Sequence, residues 1–174
     1  MDFKILGVLT FQGCTRLYNV HPSVGALKNL TLLNLKDCES LKNLPQEIKL
    51  ESLEVLILSG CSRLEKLSEI GENMTHLSKL YLGRTAIKEL PSSIKHLAGL
   101  TILNLKYCKY LSSFPSAICA LTSLEILTLS GCKVQLPKSC HLPGLSLALW
   151  THFSMLNVLN QSPPTCCYPN HSQD

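Results

Sequence analysis

Nine cysteines and six histidines among 174 residues are the side chains with chemistry to offer: a thiolate nucleophile, disulfides, or a site for a soft metal. A late group, Cys132, Cys140, His141, Cys166, Cys167 and His171, has the residue types of a metal site. It lacks Cys-x-x-Cys pairs and any zinc-finger spacing, so no metal is expected. His21 precedes a proline in a turn, and His76 and His96 fall between leucines on connecting segments, so all three read as surface residues. No catalytic constellation emerges. The expectation is a chain that is not an enzyme and carries no cofactor.

The other cysteines follow a rule. Cys14, Cys38, Cys61, Cys108 and Cys132 occupy one position of a recurring pattern, and Thr85 fills that position once. The pattern, Leu-x-x-Leu-x-Leu-x-x-Cys-x-x-Leu, starts at Leu6, Leu30, Leu53, Leu77, Leu100 and Leu124, at intervals of 24, 23, 24, 23 and 24 residues. Repetition at this period identifies stacked units. Within each unit an apolar-polar-apolar segment such as Leu33-Asn34-Leu35 has the period of a strand with both leucines on one side. One unit cannot bury that side alone, so the strands must lie in parallel in a curved sheet. The pairs Leu44-Pro45, Leu90-Pro91 and Leu136-Pro137 turn the chain after the strand. Beyond them, Ile94 and Leu97, or Ile118 and Leu121, have the spacing of a helical turn. The reading is an α/β leucine-rich-repeat solenoid, with the sheet on the concave face and short helical or irregular segments on the convex face.

In this frame the cysteine column is structural: a small polar group at the strand exit that satisfies backbone groups of the turn. Neighbouring slots about 4.8 Å apart do not by themselves forbid a disulfide, which spans about 4.4–6.8 Å between Cα atoms. Side chains projecting inward side by side do not face each other, however, so a reduced, buried column in a reducing compartment is expected.

The strings Gly13-Cys14-Thr15-Arg16-Leu17, Leu32-Leu33-Asn34-Leu35-Lys36-Asp37-Cys38 and Leu58-Ser59-Gly60-Cys61-Ser62-Arg63-Leu64 resemble the leucine-rich repeats of plant TIR-type nucleotide-binding disease-resistance proteins. So do Val20-His21-Pro22-Ser23-Val24-Gly25 and Arg84-Thr85-Ala86-Ile87-Lys88-Glu89-Leu90-Pro91-Ser92-Ser93-Ile94. The resemblance covers about residues 6 to 137. It implies a recognition region for a pathogen effector or a guarded host protein, one that restrains the switch domains attached to it in the family. No Gly-x-x-x-x-Gly-Lys-Ser/Thr loop is present, so the expectation is a member without the TIR and nucleotide-binding domains. A free-standing intracellular signalling scaffold, a non-functional truncated product, and a secreted or cell-surface repeat protein stay open as alternatives.

Bulk properties agree with a protein-binding role. The net charge of +4 is scattered, and aromatic residues are only 6%, without the basic and aromatic interleaving that stacks bases, so nucleic acid is not an expected partner. No basic leader opens the chain, and Leu142 to Leu159 is interrupted by Pro143, Gly144, Thr151, His152 and Asn157, so no membrane association is expected. The expected compartment is the cytoplasm, with the nucleus as the alternative. The expected organisation is a solenoid over 1–141, a degenerate repeat or cap over 142–160, and a flexible tail over 161–174.

Side chains alternating with the buried leucines should form the binding face. Three columns result: Val8, Leu32, Val55, Lys79, Ile102 and Ile126; Thr10, Asn34, Ile57, Tyr81, Asn104 and Thr128; and Gln12, Lys36, Ser59, Gly83, Lys106 and Ser130. Asp37, Arg84 and Tyr107 follow at the strand exit. Candidate partner contacts are Ile57, Lys79, Tyr81, Arg84, Lys106 and Tyr107, because aromatic and arginine groups anchor interfaces. A face of about 24 by 23 Å, roughly 550 Å², is smaller than the about 800 Å² per partner of a standard interface.

Overall fold

A computed structural model describes residues 6–134, 136–137 and 140–145. Six strands form the front sheet: β1 (Val8–Thr10), β2 (Leu32–Asn34), β4 (Val55–Ile57), β6 (Lys79–Tyr81), β7 (Ile102–Asn104) and β8 (Ile126–Thr128). All neighbours are parallel, in the order β1-β2-β4-β6-β7-β8. Their register aligns Val8, Leu32, Val55, Lys79, Ile102 and Ile126, and also Thr10, Asn34, Ile57, Tyr81, Asn104 and Thr128. Two of the three columns read from the sequence are therefore rows across real strands, and the third lies just beyond them.

Each front strand is three residues long, yet its hydrogen-bond ladder runs further. Leu35 N donates to Ile57 O and Asp37 N to Ser59 O, each at 2.8 Å. The same pair of bonds recurs in the units carrying Gly60, Arg84 and Tyr107. Because the backbone polar groups are satisfied by the next unit, every stacking step both buries leucines and pairs amides. Leu33, Leu56, Leu80 and Leu103 are buried between front and back, and so are Leu35, Leu58, Leu82 and Leu105.

The back of the solenoid varies with leucine spacing. Where two apolar residues stand three apart, Val24 and Leu27, Ile94 and Leu97, or Ile118 and Leu121, the chain forms a 3₁₀ turn: Pro22–Ala26, Ser92–His96 and Ser116–Ala120. The second and third units lack that spacing, with Ile48 two residues before Leu50 and Ile70 four before Met74. There the back is a pair of short parallel strands, β3 (Glu47–Ile48) and β5 (Glu69–Ile70). A helical turn needs its apolar groups three or four apart on one face, and only the three-residue interval fits so tight a connection.

The sixth unit extends beyond Pro137. Its intervals Pro137, Cys140, Leu142, Leu145 repeat Pro45, Ile48, Leu50, Leu53 of the second unit, and Leu142 is buried. Of the degenerate repeat or cap expected over 142–160, residues 146–160 lie outside the described residues, as does the tail expected over 161–174. Among the described residues, no helix is long and apolar enough to cross a membrane.

Candidate functional site

The strand exits share an unusual backbone conformation. Gly13, Asp37, Gly60, Arg84, Tyr107 and Gly131, one per unit, all have positive φ between 58° and 84°. Glycine adopts this left-handed region freely, whereas other residues are disfavoured there. Each of the six stands immediately before its unit's Cys or Thr, and the chain must reverse there to leave the sheet. The Gly-Cys pairs were a sequence signal for this turn; the strain at Arg84 and Tyr107 was not read from the sequence.

The column steps from one unit to the next. A methyl group added to Gly60 would collide with Asp37, and one added to Gly131 would collide with the ring of Tyr107. Each of these side chains thus lies over the glycine of the following unit. Arg84 has Tyr107 as its follower, and its guanidinium lies 5.9 Å from that ring's centroid. The Lys106 ammonium approaches the same ring at 5.2 Å. Lys106 is itself held in place, because Asn104 Oδ1 accepts its backbone N–H at 2.9 Å; Asn34 does the same for Lys36. Such local side-chain acceptors fix a turn.

Arg84, Lys106 and Tyr107 therefore form one exposed cluster at the strand exit. Ile57 and Tyr81 are register partners, half-buried, in the middle of the front. Lys79 is exposed at the opposite end of β6, between Val55 and Ile102 in register. No carboxylate of the described residues lies within ion-pair distance of Lys79, Arg84 or Lys106, whereas Lys36 has Asp37 at 3.9 Å. The front thus carries uncompensated positive charge beside aromatic surface. A groove of about 560 Å³ on another part of the surface, lined by Lys42, Pro45, Lys66, Glu69, Pro91 and Pro115 among others, contains none of the six candidates.

The cysteine column forms a sulfur-to-carbonyl ladder. Cys38 Sγ donates to Phe11 O at 3.0 Å, Cys61 to Leu35 O at 3.2 Å, Cys108 to Leu82 O at 3.1 Å and Cys132 to Leu105 O at 2.9 Å. Each bond reaches back one unit to the carbonyl leaving the strand. Thr85 differs, donating to Leu82 O within its own unit at 2.8 Å. All five column cysteines are free thiols. Cys38, Cys61 and Cys108 are buried and Cys132 partly so, but the expected burial fails at Cys14, which is exposed because no described unit stacks against its outer side. Burial pushes the Cys61 thiol up to about 12 and also raises Cys38.

Outside the column, Cys119 and Cys140 form a disulfide that the sequence reading did not foresee. The late cysteine and histidine group is divided accordingly: Cys140 is bonded to Cys119, and Cys166, Cys167 and His171 lie outside the described residues. Among the described residues no three His, Cys, Asp or Glu side chains are placed to hold a metal ion. Two histidines join units, His96 Nδ1 donating to Ile70 O at 2.8 Å and His76 Nδ1 to Glu51 O at 3.0 Å, while His21 Nδ1 accepts from Ser23 N at 3.2 Å within its own turn.

Comparison with known proteins agrees with this architecture. Disease resistance protein RPP2A of Arabidopsis thaliana is 40% identical over 108 residues, which is 62% of this chain and 8% of that protein. TMV resistance protein N of Nicotiana glutinosa is 42% identical over 120 residues, 68% of this chain and 10% of that protein. This chain thus spans a tenth or less of the length of these relatives. Among solved structures, the leucine-rich-repeat ectodomain of the Arabidopsis thaliana membrane receptor kinase GASSHO1/SCHENGEN3 matches at 21% identity and a TM-score of 0.43, over 74% of this chain and 19% of that one. The family model "Disease resistance protein RPS4B-like, leucine-rich repeats" matches residues 49–142, more than half of the 174 residues. The chain belongs to that family, the leucine-rich repeats of plant disease resistance proteins.

Proposed function

We propose that this chain is a non-enzymatic protein-recognition module of plant defence, and that its partner, a pathogen effector or a guarded host protein, docks on the concave front. The observation that carries the reading is the arrangement of Lys79, Tyr81, Arg84, Lys106 and Tyr107. Three cations without a described carboxylate partner stand beside two aromatic rings on a hydrogen-bonded, parallel scaffold. Such a face favours an acidic protein surface, because charge selects the partner while the rings bury area. Intracellular, cytoplasmic action fits the free thiols of the column. The front is small, so this chain alone makes a partial contact; in a longer receptor, neighbouring units would enlarge it.

The test is co-purification from plant tissue with and without pathogen challenge, using the tagged chain and a Lys79→Glu/Arg84→Glu/Tyr107→Ala variant in parallel. A protein retained by the parent chain and lost by the folded variant supports the reading. Equal retention by both would place recognition elsewhere.

A further inference from the structure

The two cysteines that meet lie where the solenoid is less tightly buried than in its middle. Cys119 lies in the 3₁₀ turn Ser116–Ala120 behind the fifth unit, and Cys140 lies in the back of the sixth. By the interval Pro137 to Cys140, the second cysteine occupies the slot held by Ile48 in the second unit and Ile118 in the fifth. Both of those isoleucines are buried, whereas Cys140 is only partly covered. A thiol fills less of that slot than a branched four-carbon side chain. The front of the sixth unit agrees: Leu129 is 8% exposed where Leu105 and Leu82 are 0%. A segment with fewer buried contacts opens more readily than one with more.

We propose that Cys119 and Cys140 are a reversible thiol–disulfide exchange site, whose co-reactant is a small disulfide of the glutathione type, and that the bond fastens the sixth unit to the fifth. In the oxidising direction, the thiolate of one cysteine attacks a sulfur of glutathione disulfide, and a mixed disulfide forms as one glutathione thiolate leaves. The second cysteine, deprotonated, attacks the protein sulfur of that mixed disulfide and expels the second glutathione. Two electrons pass from the protein to glutathione disulfide, and the two cysteine protons end on the two glutathione molecules. Two molecules of reduced glutathione reverse the sequence.

This pair differs from the buried thiols of the column in being linked and partly exposed. The Cα atoms are 5.1 Å apart, inside the range a disulfide bridges, and both residues are partly exposed to a reagent. The thiols of Cys38, Cys61 and Cys108 are buried, each donating to a carbonyl, which shields them from a reagent. The bond closes a loop of sequence separation 21 that contains all of β8 and the last strand exit. Beyond Cys140, Gly144 approaches the Leu124 carbonyl so closely that a methyl group there would clash. Fastening Cys140 therefore holds Leu142 and Gly144 against the end of the stack.

The experiment equilibrates the full chain at a series of reduced-to-oxidised glutathione ratios, alkylates free thiols under acid quench, and maps linked cysteines by mass spectrometry. Amide hydrogen exchange is measured on the same samples. The expected result is a Cys119–Cys140 linkage that appears and disappears with the ratio. Exchange in peptides from Ala117 to Val134 should slow on the order of tenfold when linked, with residues 30–100 unchanged. Cys119→Ser should show the reduced pattern at every ratio. Cysteines that remain alkylatable at all ratios, a stable glutathione adduct on either one without the linkage, or a linkage that leaves exchange unaltered would each overturn the proposal.

Discussion

The guanidinium of Arg84 lies 5.9 Å from the ring centroid of Tyr107, and both residues hold a left-handed backbone, at φ 59° and 61°. A non-glycine residue in this region costs on the order of 1–2 kcal/mol, and three of the other strand exits use glycine. Arg84→Gly should therefore be near neutral for stability, since relief of the backbone is offset by about 0.5–1 kcal/mol of extra chain entropy in the unfolded state. Arg84→Val should lower stability by about 1–2 kcal/mol, because a β-branched side chain fits the left-handed region worst. Thermal melts of the two variants check this; a glycine variant that is the less stable of the pair would remove the strain argument.

The glycines of the same column differ in what surrounds them. Gly13 and Gly131 both have positive φ, yet a Cβ on Gly13 has open space while one on Gly131 would strike the Tyr107 ring. Gly13→Ala should cost only the backbone preference, about 1–2 kcal/mol. Gly131→Ala should cost more and should also displace Tyr107, which changes the ring's chemical shifts although no front contact residue is altered. Identical shifts in the two variants would mean that the ring does not rest on the sixth unit.

The core assignment has a direct test in charge placement. Leu103 is fully buried between β6 and β8, so Leu103→Asp leaves a carboxylate without a partner and should cost several kcal/mol, spreading to adjacent units. Lys36→Asp on the exposed front should change stability by less than about 0.5 kcal/mol. Circular dichroism melts showing equal losses would reverse the inward and outward sides.

The buried Cys61 thiol predicts an alkaline weakness. Cys61 titrates near 9.0 when unperturbed and is pushed up to about 12 in the fold by burial. Below pH 9 both states keep the proton and the full contribution is present. As pH rises from 9 towards 12 the unfolded chain ionises while the folded one does not, so stability falls by at most about 1.4 kcal/mol per pH unit for this group. Cys61→Thr removes the titration and keeps a residue that the fourth unit already uses as Thr85. Its melting temperature should decline less steeply across that window than the parent's; parallel slopes would assign the alkaline loss to other groups.

What the sequence made legible and what it hid divide along physical lines. Leucine spacing specified the front because burial forces a period of two on strands, and Leu33, Leu56, Leu80 and Leu103 lie on the side that the period assigns. The strand back at Glu47–Ile48 and Glu69–Ile70 and the repeat intervals continuing through Leu145 were not part of the expectation, which placed helical or irregular segments on the back and the solenoid's limit at residue 141, although the intervals Ile48 to Leu50 and Pro137 to Leu145 carry both. The front columns were legible from the period of two. The contact of Arg84 with Tyr107 was not, because it depends on a backbone conformation that nothing in an arginine or a tyrosine announces. The disulfide between Cys119 and Cys140 was hidden by treating Cys140 as part of a late cluster rather than as an occupant of the isoleucine slot.

The partner contact should separate into two kinetic signatures. Lys79 and Arg84 are exposed cations at opposite ends of β6 and its exit, with no described carboxylate in ion-pair range. Charges of this kind act mainly on encounter, so Lys79→Glu/Arg84→Glu should slow association by roughly tenfold at low salt, with the difference shrinking as salt rises. Tyr81 is half-buried in register with Ile57 and Asn104, where it contributes contact area rather than steering. Tyr81→Ala should leave association nearly unchanged and speed dissociation by roughly tenfold or more, in line with losing an aromatic anchor of about 1.4–2 kcal/mol. Lys95→Glu, on the exposed back in the turn Ser92–His96, serves as the control and should change neither rate beyond a small salt-dependent term. Surface plasmon resonance with the captured partner at two salt concentrations reads association and dissociation for the parent and the three variants. If Lys95→Glu abolishes binding while Lys79, Tyr81 and Arg84 can be replaced freely, the partner meets the convex side, and the cation and ring cluster of the front has another explanation.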